Sequence, residues 1–438
     1  MFVSLDGNAR LPRMIARLPQ AGIRTAAALG LMFLLLTFAW PGQGAPWVST
    51  TSLPDGYFSH TLTYASGYLY NIGGCSVTNG NAAGINVFRA PVHDDGTIGA
   101  WTNATSLPEA VNNHASVSAN GFLYVLGGYH YFPTAGNIAS NVVYYGNIHA
   151  DGTIGLWQTA NPLPVNLAGL SASVWSNTIY VIGGFDGNAE HNTVFSATIQ
   201  TDGSLSAWAT NTPVPVPGGP YGGPGIYLHA SVANGFLYVL GGLSDGGTDN
   251  SGKIYCAKIN GGGGIGAWTN TTPLPQGLCS FGAVVAGGRV FTIGGYNVSP
   301  QNEFYNATVL VDGSLSSWSA GPNLPQPLSA QGTAASGSYI FTSGGNTNGQ
   351  ATPAVYSMAL PAPPVAPTLV ARSFTNGNFQ LQLTATANTG YGLTASTNFI
   401  VWTNIAAGFT GTNGTLLFQD TNAARFPRRF YRAYWPLP

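Results

Sequence analysis

Short stretches with the alternation of a β-strand recur through the middle of the chain, and six of them end in a glycine pair. They cover residues 68–74, 122–128, 178–184, 236–242, 289–295 and 338–345. The first glycine of each pair stands at 73, 127, 183, 241, 294 and 344, a spacing of 50 to 58 residues. Sequence repeats of that period indicate a solenoid, propeller or array. A second signature keeps step with the first. Trp47, Trp101, Trp157, Trp208, Trp268 and Trp318 each stand six residues before an apolar residue followed by Pro: Leu53, Leu107, Leu163, Val214, Leu274 and Leu324. In five repeats an aromatic precedes the Trp by 13 positions: Phe88, Tyr144, Phe195, Tyr255 and Tyr305. Between aromatic and Trp lies Asp95-Gly96, Asp151-Gly152, Asp202-Gly203 or Asp312-Gly313, with Gly262-Gly263 in the fourth repeat.

The second repeat predicts four strands, at 114–119, 122–126, 141–148 and 153–158. Asn120-Gly121 and Asp151-Gly152 supply hairpin turns that need positive φ. Four antiparallel strands repeated radially describe a propeller blade. The sixth repeat lacks the Asp-Gly and Trp strand, whereas the array begins with an orphan Trp47 strand. That strand is expected to complete the last blade, closing the ring and removing two exposed sheet edges. The expected fold is all-β: a six-bladed β-propeller over 45–360. A Pro-rich linker follows at 361–367, then a small β-sandwich at 368–438. Strands of that last domain are expected near 379–385, 391–395, 399–405, 415–418 and 430–435.

The glycine pair after a strand, with the aromatic and Trp later in the repeat, resembles the kelch repeat. That family includes the central propeller of galactose oxidase. The resemblance covers residues 45–360 and implies the propeller fold. The aromatic-to-Trp spacing of 13 is wider than the usual kelch spacing, so the chain resembles a divergent branch. The tail, with Ala395-Ser396-Thr397-Asn398, Trp402-Thr403 and Arg428-Arg429-Phe430-Tyr431-Arg432, resembles a terminal domain of secreted bacterial proteins.

Only 13 basic and 14 acidic residues occur in 438, or 6% charged, with 12% aromatic, 60 Gly and 29 Pro. A disordered chain would be charged and poor in aromatics. A coiled coil would be rich in Ala, Glu, Lys and Leu. Two lysines and a net charge of −1 give no phosphate-binding surface, so no nucleic-acid partner is expected. Residues 45–360 carry four basic against twelve acidic side chains, and the tail carries five Arg against Asp420.

Arg10, Arg13, Arg17 and Arg24 precede an apolar run at 26–40 that ends in Pro41-Gly42-Gln43-Gly44. This pattern predicts a secretory signal peptide over 1–44 and export of the rest. The run is too short for a spanning helix, so no transmembrane segment is expected. In an oxidising compartment Cys75, Cys256 and Cys279 allow one disulfide at most, and Cys256 with Cys279 is one candidate pair.

The loops before the first strand and after the second fall on one face of a propeller and are long and varied. Binding residues concentrate on such loops. The candidate ligand-binding residues there are Tyr57, Tyr129, His130, Tyr131, Phe185, Asp186, Glu190, Tyr221 and Tyr296. Aromatic platforms beside short polar groups suit sugars. His60, His114 and His229 open the first strand of three repeats, but repeats three, five and six have Leu170, Phe281 and Gln331 there. Packing rather than a metal is expected of them, and no cofactor is expected. Asp186 with Glu190 is a candidate carboxylate pair. The sequence favours a secreted, monomeric, non-catalytic binding propeller for a glycan or a cell-surface protein. The alternatives are a sugar-active oxidase or mutarotase, as the resemblance implies, and an extracellular protein-interaction module. The scarcity of Lys, Glu and Arg argues against acid–base chemistry.

Overall fold

The structure is a computed structural model that describes residues 3–4, 46–132, 136–215, 227–244, 249–310, 312–360, 368–375, 378–385, 390–397, 403–426 and 428–434. The 361–367 linker, Tyr221 and all of the expected leader except Val3 and Ser4 lie outside the described residues. Among the described residues no helix is long and apolar enough to cross a membrane.

Each repeat forms a four-stranded antiparallel sheet. In the second repeat the strands are Ala115–Ala119, Phe122–Leu126, Val143–Asn147 and Gln158–Thr159. The fourth strand is shorter than the 153–158 expected. Only the bridge between Ile148 and Ile154 pairs the chain before it, and Leu156 stands 85% exposed. The second strand is apolar on both faces because both are covered. Leu123 and Val125 join the core shared with the first sheet, while Tyr124 and Leu126 join the core shared with the third. The same division gives six core clusters, one between each neighbouring pair of sheets. First strands touch in cyclic order, from Thr61–Ala65 round to Gly332–Ala335 and back.

Three sets of hydrogen bonds run around this cycle and cross the seam between the sixth and first sheets. In the outermost, each Trp indole donates to a carbonyl of the preceding sheet. Trp157 donates to Thr105, Trp208 to Asn161 and Trp268 to Thr212, all at 2.9 Å. Val48–Ser49 is the fourth strand of the sixth sheet, pairing with Ser357 and Tyr356. Accordingly Trp47 donates to Pro322 of the fifth repeat at 2.9 Å, and Trp101 of the first donates to Thr51 at 3.0 Å.

The second set explains the glycine pairs. The N–H of the second glycine donates to the next sheet: Gly74 to Val111, Gly128 to Leu167, Gly295 to Leu328 and, across the seam, Gly345 to Tyr57 at 2.7 Å. Gly128 has φ +98°, and a Cβ there would lie 2.7 Å from the His114 Cβ. A side chain would therefore meet both backbone strain and a clash.

The innermost set is a ring of main-chain bonds. Asn113 N–H donates to Ser59 O, Gly169 to Asn113, Tyr227 to Gly169, Ser280 to Tyr227, Ala330 to Ser280 and Ser59 to Ala330. All six residues have positive φ, between 48° and 65°.

A fourth contact pattern links neighbouring sheets without closing. The hydroxyls of Tyr70, Tyr124, Tyr180 and Tyr238 donate to the turn glycines Gly152, Gly203, Gly263 and Gly313 of the next sheet. Phe291 takes this place in the fifth sheet, whose neighbour completes itself with the Trp47 strand and has no such turn. Tyr124→Phe is expected to destabilise the fold by about 1 kcal/mol, with the urea m-value unchanged.

The chain divides into two compact units, 40–362 and 363–438 with 1–39. In the second unit, Thr368–Thr375, Asn378–Thr384 and Thr415–Asp420 form one sheet. Gly390–Ser396, Thr403–Phe409 and Phe430–Tyr434 form another. Thr368–Thr375 was not expected from the sequence, and the strand expected at 399–405 is found at Thr403–Phe409. Val3 and Ser4 pair with Tyr431 and Phe430. Leu381, Leu383, Tyr391, Leu393 and Tyr431 fill the core of this unit. Asp420 is buried there on Arg429 at 3.0 Å and accepts from the Tyr431 hydroxyl at 2.9 Å. One of the tail's arginines is therefore internal rather than displayed.

Candidate functional site

The residue after each glycine pair is Cys75, Tyr129, Phe185, Leu243, Tyr296 or Asn346. Five of them pair with the residue just before the innermost ring: Phe58 with Cys75, Asn112 with Tyr129, Ala168 with Phe185, Cys279 with Tyr296 and Ser329 with Asn346. The same repeat position is thus brought to one face, around the ring of main-chain bonds.

A depression of about 660 Å³ lies on that face beside the first three sheets. Phe58, Tyr129, Ile138 and Phe185 supply its apolar walls. Ser59, Asn81, Asn112, Asn113 and Asp186 supply polar groups. Asn113 Nδ2 donates to Asn112 Oδ1 at 2.9 Å, which fixes one amide against the other. Ile138 belongs to the hairpin of Tyr129–Phe132 and Gly136–Ala139 and is 45% exposed.

Among the described residues Asp186 is the one ionisable carboxylate on this lining. Its Oδ1 accepts from the N–H groups of Asn188 and Ala189, both at 2.7 Å, and its Oδ2 lies 2.9 Å from His191 Nε2. The His191 hydrogen bond, with these main-chain donors, holds the carboxyl down to about 2. Both oxygens are engaged in bracing their own loop. Glu190 lies in that loop, half-buried, its main chain paired with Phe185.

Of the nine residues singled out in the sequence, Tyr129, Phe185 and Asp186 come together here. Tyr57 does not reach the surface. It is 2% exposed, packs edge-on against Phe88 and accepts from Asn86 Nδ2 at 3.2 Å. His130 is buried too, 2.6 Å from Glu109 and stacked on Tyr144. In both cases strand alternation turns the neighbour outward, Phe58 beside Tyr57 and Tyr129 beside His130. The Tyr131 side chain and Tyr221 lie outside the described residues. Tyr296 lines a separate depression. Asn112, Asn113 and Asn81 had not been singled out. Their sequence signal is position alone, just before the first strand or in the loop after a glycine pair.

His60 and His114 hold neighbouring sheets together. His60 Nε2 meets Ser343 Oγ at 3.0 Å, and His114 Nε2 meets Thr61 Oγ1 at 2.9 Å. His229 packs against Phe281. Among the described residues no group of three His, Cys, Asp or Glu is arranged to hold a metal. Cys256 and Cys279 are not paired: all three cysteines are free and buried. Burial pushes the Cys75 and Cys279 thiols up to about 11, which makes them poor nucleophiles.

No family model matches the chain. It is 25% identical over 206 residues to mouse Kelch-like protein 35, covering 47% of this chain and 30% of that protein. It is 25% identical over 168 residues to human Kelch repeat and BTB domain-containing protein 12, covering 35% of this chain and 26% of that one. The chain therefore spans less than a third of the length of these curated relatives. The solved structure of YjhT superposes with a TM-score of 0.56 at 14% identity, covering 77% of this chain and 99% of that one. The fold is a kelch-type β-propeller. In those terms the glycine pair and the Trp are the inter-blade fasteners of the propeller, and the residue after the glycine pair belongs to its long-loop face.

Proposed function

We propose that the protein is an exported, non-catalytic binding module whose long-loop propeller face takes an uncharged, hydroxyl-rich ligand, a glycan. In this reading the ring is a six-bladed propeller closed by the Trp47 strand, followed by a small C-terminal β-sandwich. One observation carries the ligand class: the rings of Tyr129 and Phe185 share a depression with the amides of Asn81, Asn112 and Asn113. The Asp186 carboxylate on its lining is already engaged by His191 and two main-chain donors. Flat rings stack on the C–H faces of a sugar, and amides both donate to and accept from its hydroxyls. Among the described residues the lining offers no cation for an anionic ligand. The commitment of Asp186 and His191 to each other argues against their serving as acid and base. Export rests on the basic and apolar pattern of residues 1–44. One fold hosts many functions, so the propeller agrees with this reading without specifying a ligand.

The test is affinity electrophoresis of the full chain through gels holding β-glucan, xylan, galactomannan or pullulan. Retardation is expected in at least one, and Tyr129→Ala or Phe185→Ala is expected to weaken it about tenfold, near 1.4 kcal/mol. No retardation in any gel would overturn the glycan reading and point to a protein ligand.

A further inference from the structure

A second depression, of about 400 Å³, lies beside the fifth and sixth sheets. It repeats the construction of the first. Tyr296 and Asn346 follow glycine pairs, as Tyr129 and Phe185 do, and Ser329 precedes a ring residue, as Asn112 does. The two hollows therefore share one face of the propeller. The second is lined by the ring of Tyr296, the side chains of Val298 and Pro300, and the polar groups of Ser329, Asn346 and Asn348. Among the described residues no charged side chain lines it.

Its outer wall is the tip of the hairpin formed by Arg289–Asn297 and Ser299–Thr308. Val298 at the tip has φ +64° and is 87% exposed. A β-branched residue in that conformation is an outlier, since Gly or Asn would adopt it with less strain. The tip is held by Gln301, whose Nε2 donates to Ser299 O at 2.8 Å and to Asn297 O at 3.2 Å. An apolar side chain is thus displayed to solvent, beside a Tyr that is 40% exposed, at a cost to the local backbone.

We propose that this second depression is a subsite for the same uncharged glycan, so that the face grips a linear polymer at two points. The proposal rests on the glycan reading of the first depression. Two shallow, open hollows on one rigid unit each hold a short sugar weakly. A chain long enough to enter both makes its second contact intramolecularly, and the gain in affinity needs no new chemistry.

Calorimetric titration of the full chain with oligomers of two to eight sugars from the same four polysaccharides tests this. Octamers are expected to bind at least about tenfold more tightly than dimers. Tyr296→Ala, and more weakly Val298→Ser, are expected to remove that gain while dimer binding at the first depression is retained. Tyr129→Ala is expected to weaken dimers and octamers alike. If dimers and octamers bind equally and Tyr296→Ala has no effect, the second subsite is wrong while the first stands. If no oligomer of any length binds, both readings fall.

Discussion

Trp47→Ala is expected to lower the unfolding free energy of the propeller by about 3–5 kcal/mol, the cost of truncating a buried Trp in a core. Trp47 is 7% exposed and packs edge-on against Phe304 at 5.8 Å, in the core shared by the fifth and sixth sheets. Its indole is one of the hydrogen-bonded links between those sheets, and Val48–Ser49 completes the sixth. The substitution leaves a cavity and also frees the Pro322 carbonyl. Trp47→Phe keeps most of the packing and loses the hydrogen bond, so it is expected to cost closer to 1–2 kcal/mol (order of magnitude). Urea unfolding near neutral pH measures both. A cost under about 1 kcal/mol for Trp47→Ala would mean that the N-terminal strand does not fasten the ring.

Acid is expected to destabilise the protein from pH 6.5 downward, well above the range of carboxylates. Burial holds His60 and His114 down to about 3, and His229 to about 4. In the unfolded chain each returns to about 6.5. Below that value the unfolded chain binds protons that the fold excludes, so stability falls as the pH falls. The slope is about 1.4 kcal/mol per pH unit for each such histidine. The loss ends when the pH reaches the folded values near 3 and 4. The depressed carboxyl of Asp186 acts in a lower window: its contribution is complete above about 4 and is lost toward 2. The interval from pH 6.5 to 4.5 therefore reports the histidines. His114→Gln borrows the residue found at the same place in the sixth repeat, Gln331. It is expected to flatten the slope in that interval by about 1.4 kcal/mol per pH unit. An unchanged slope in urea unfolding from pH 7 to 4.5 would contradict a buried neutral His114.

The repeat units were legible because their fasteners are side chains or glycines. A Trp that must reach the previous sheet, and a glycine whose Cβ would lie within 3 Å of a neighbouring His, leave a mark at a fixed place in each repeat. The innermost ring left none. Ser59, Asn113, Gly169, Tyr227, Ser280 and Ala330 share only a backbone conformation and a main-chain bond, which five different residue types accommodate. The short fourth strands were hidden for a related reason. Their apolar residues, such as Ile154, bury against the neighbouring sheet without ladder pairing, and their sequence still alternates. At the candidate site the aromatics after the glycine pairs were legible, whereas Tyr57 and His130 were not told apart from their outward neighbours. A shift of one residue along a strand changes the face, and composition does not report register.

Hydrogen exchange of the full chain with and without the polysaccharide that retards it most tests the central claim most directly. Slowed exchange is expected in peptides covering 111–113, 129–139 and 185–191, with none at the Asp-Gly turns 94–97 and 151–154 on the opposite face. Protection confined to those turns or to 368–434, or no protection with any of the four polysaccharides, would contradict a glycan-binding long-loop face.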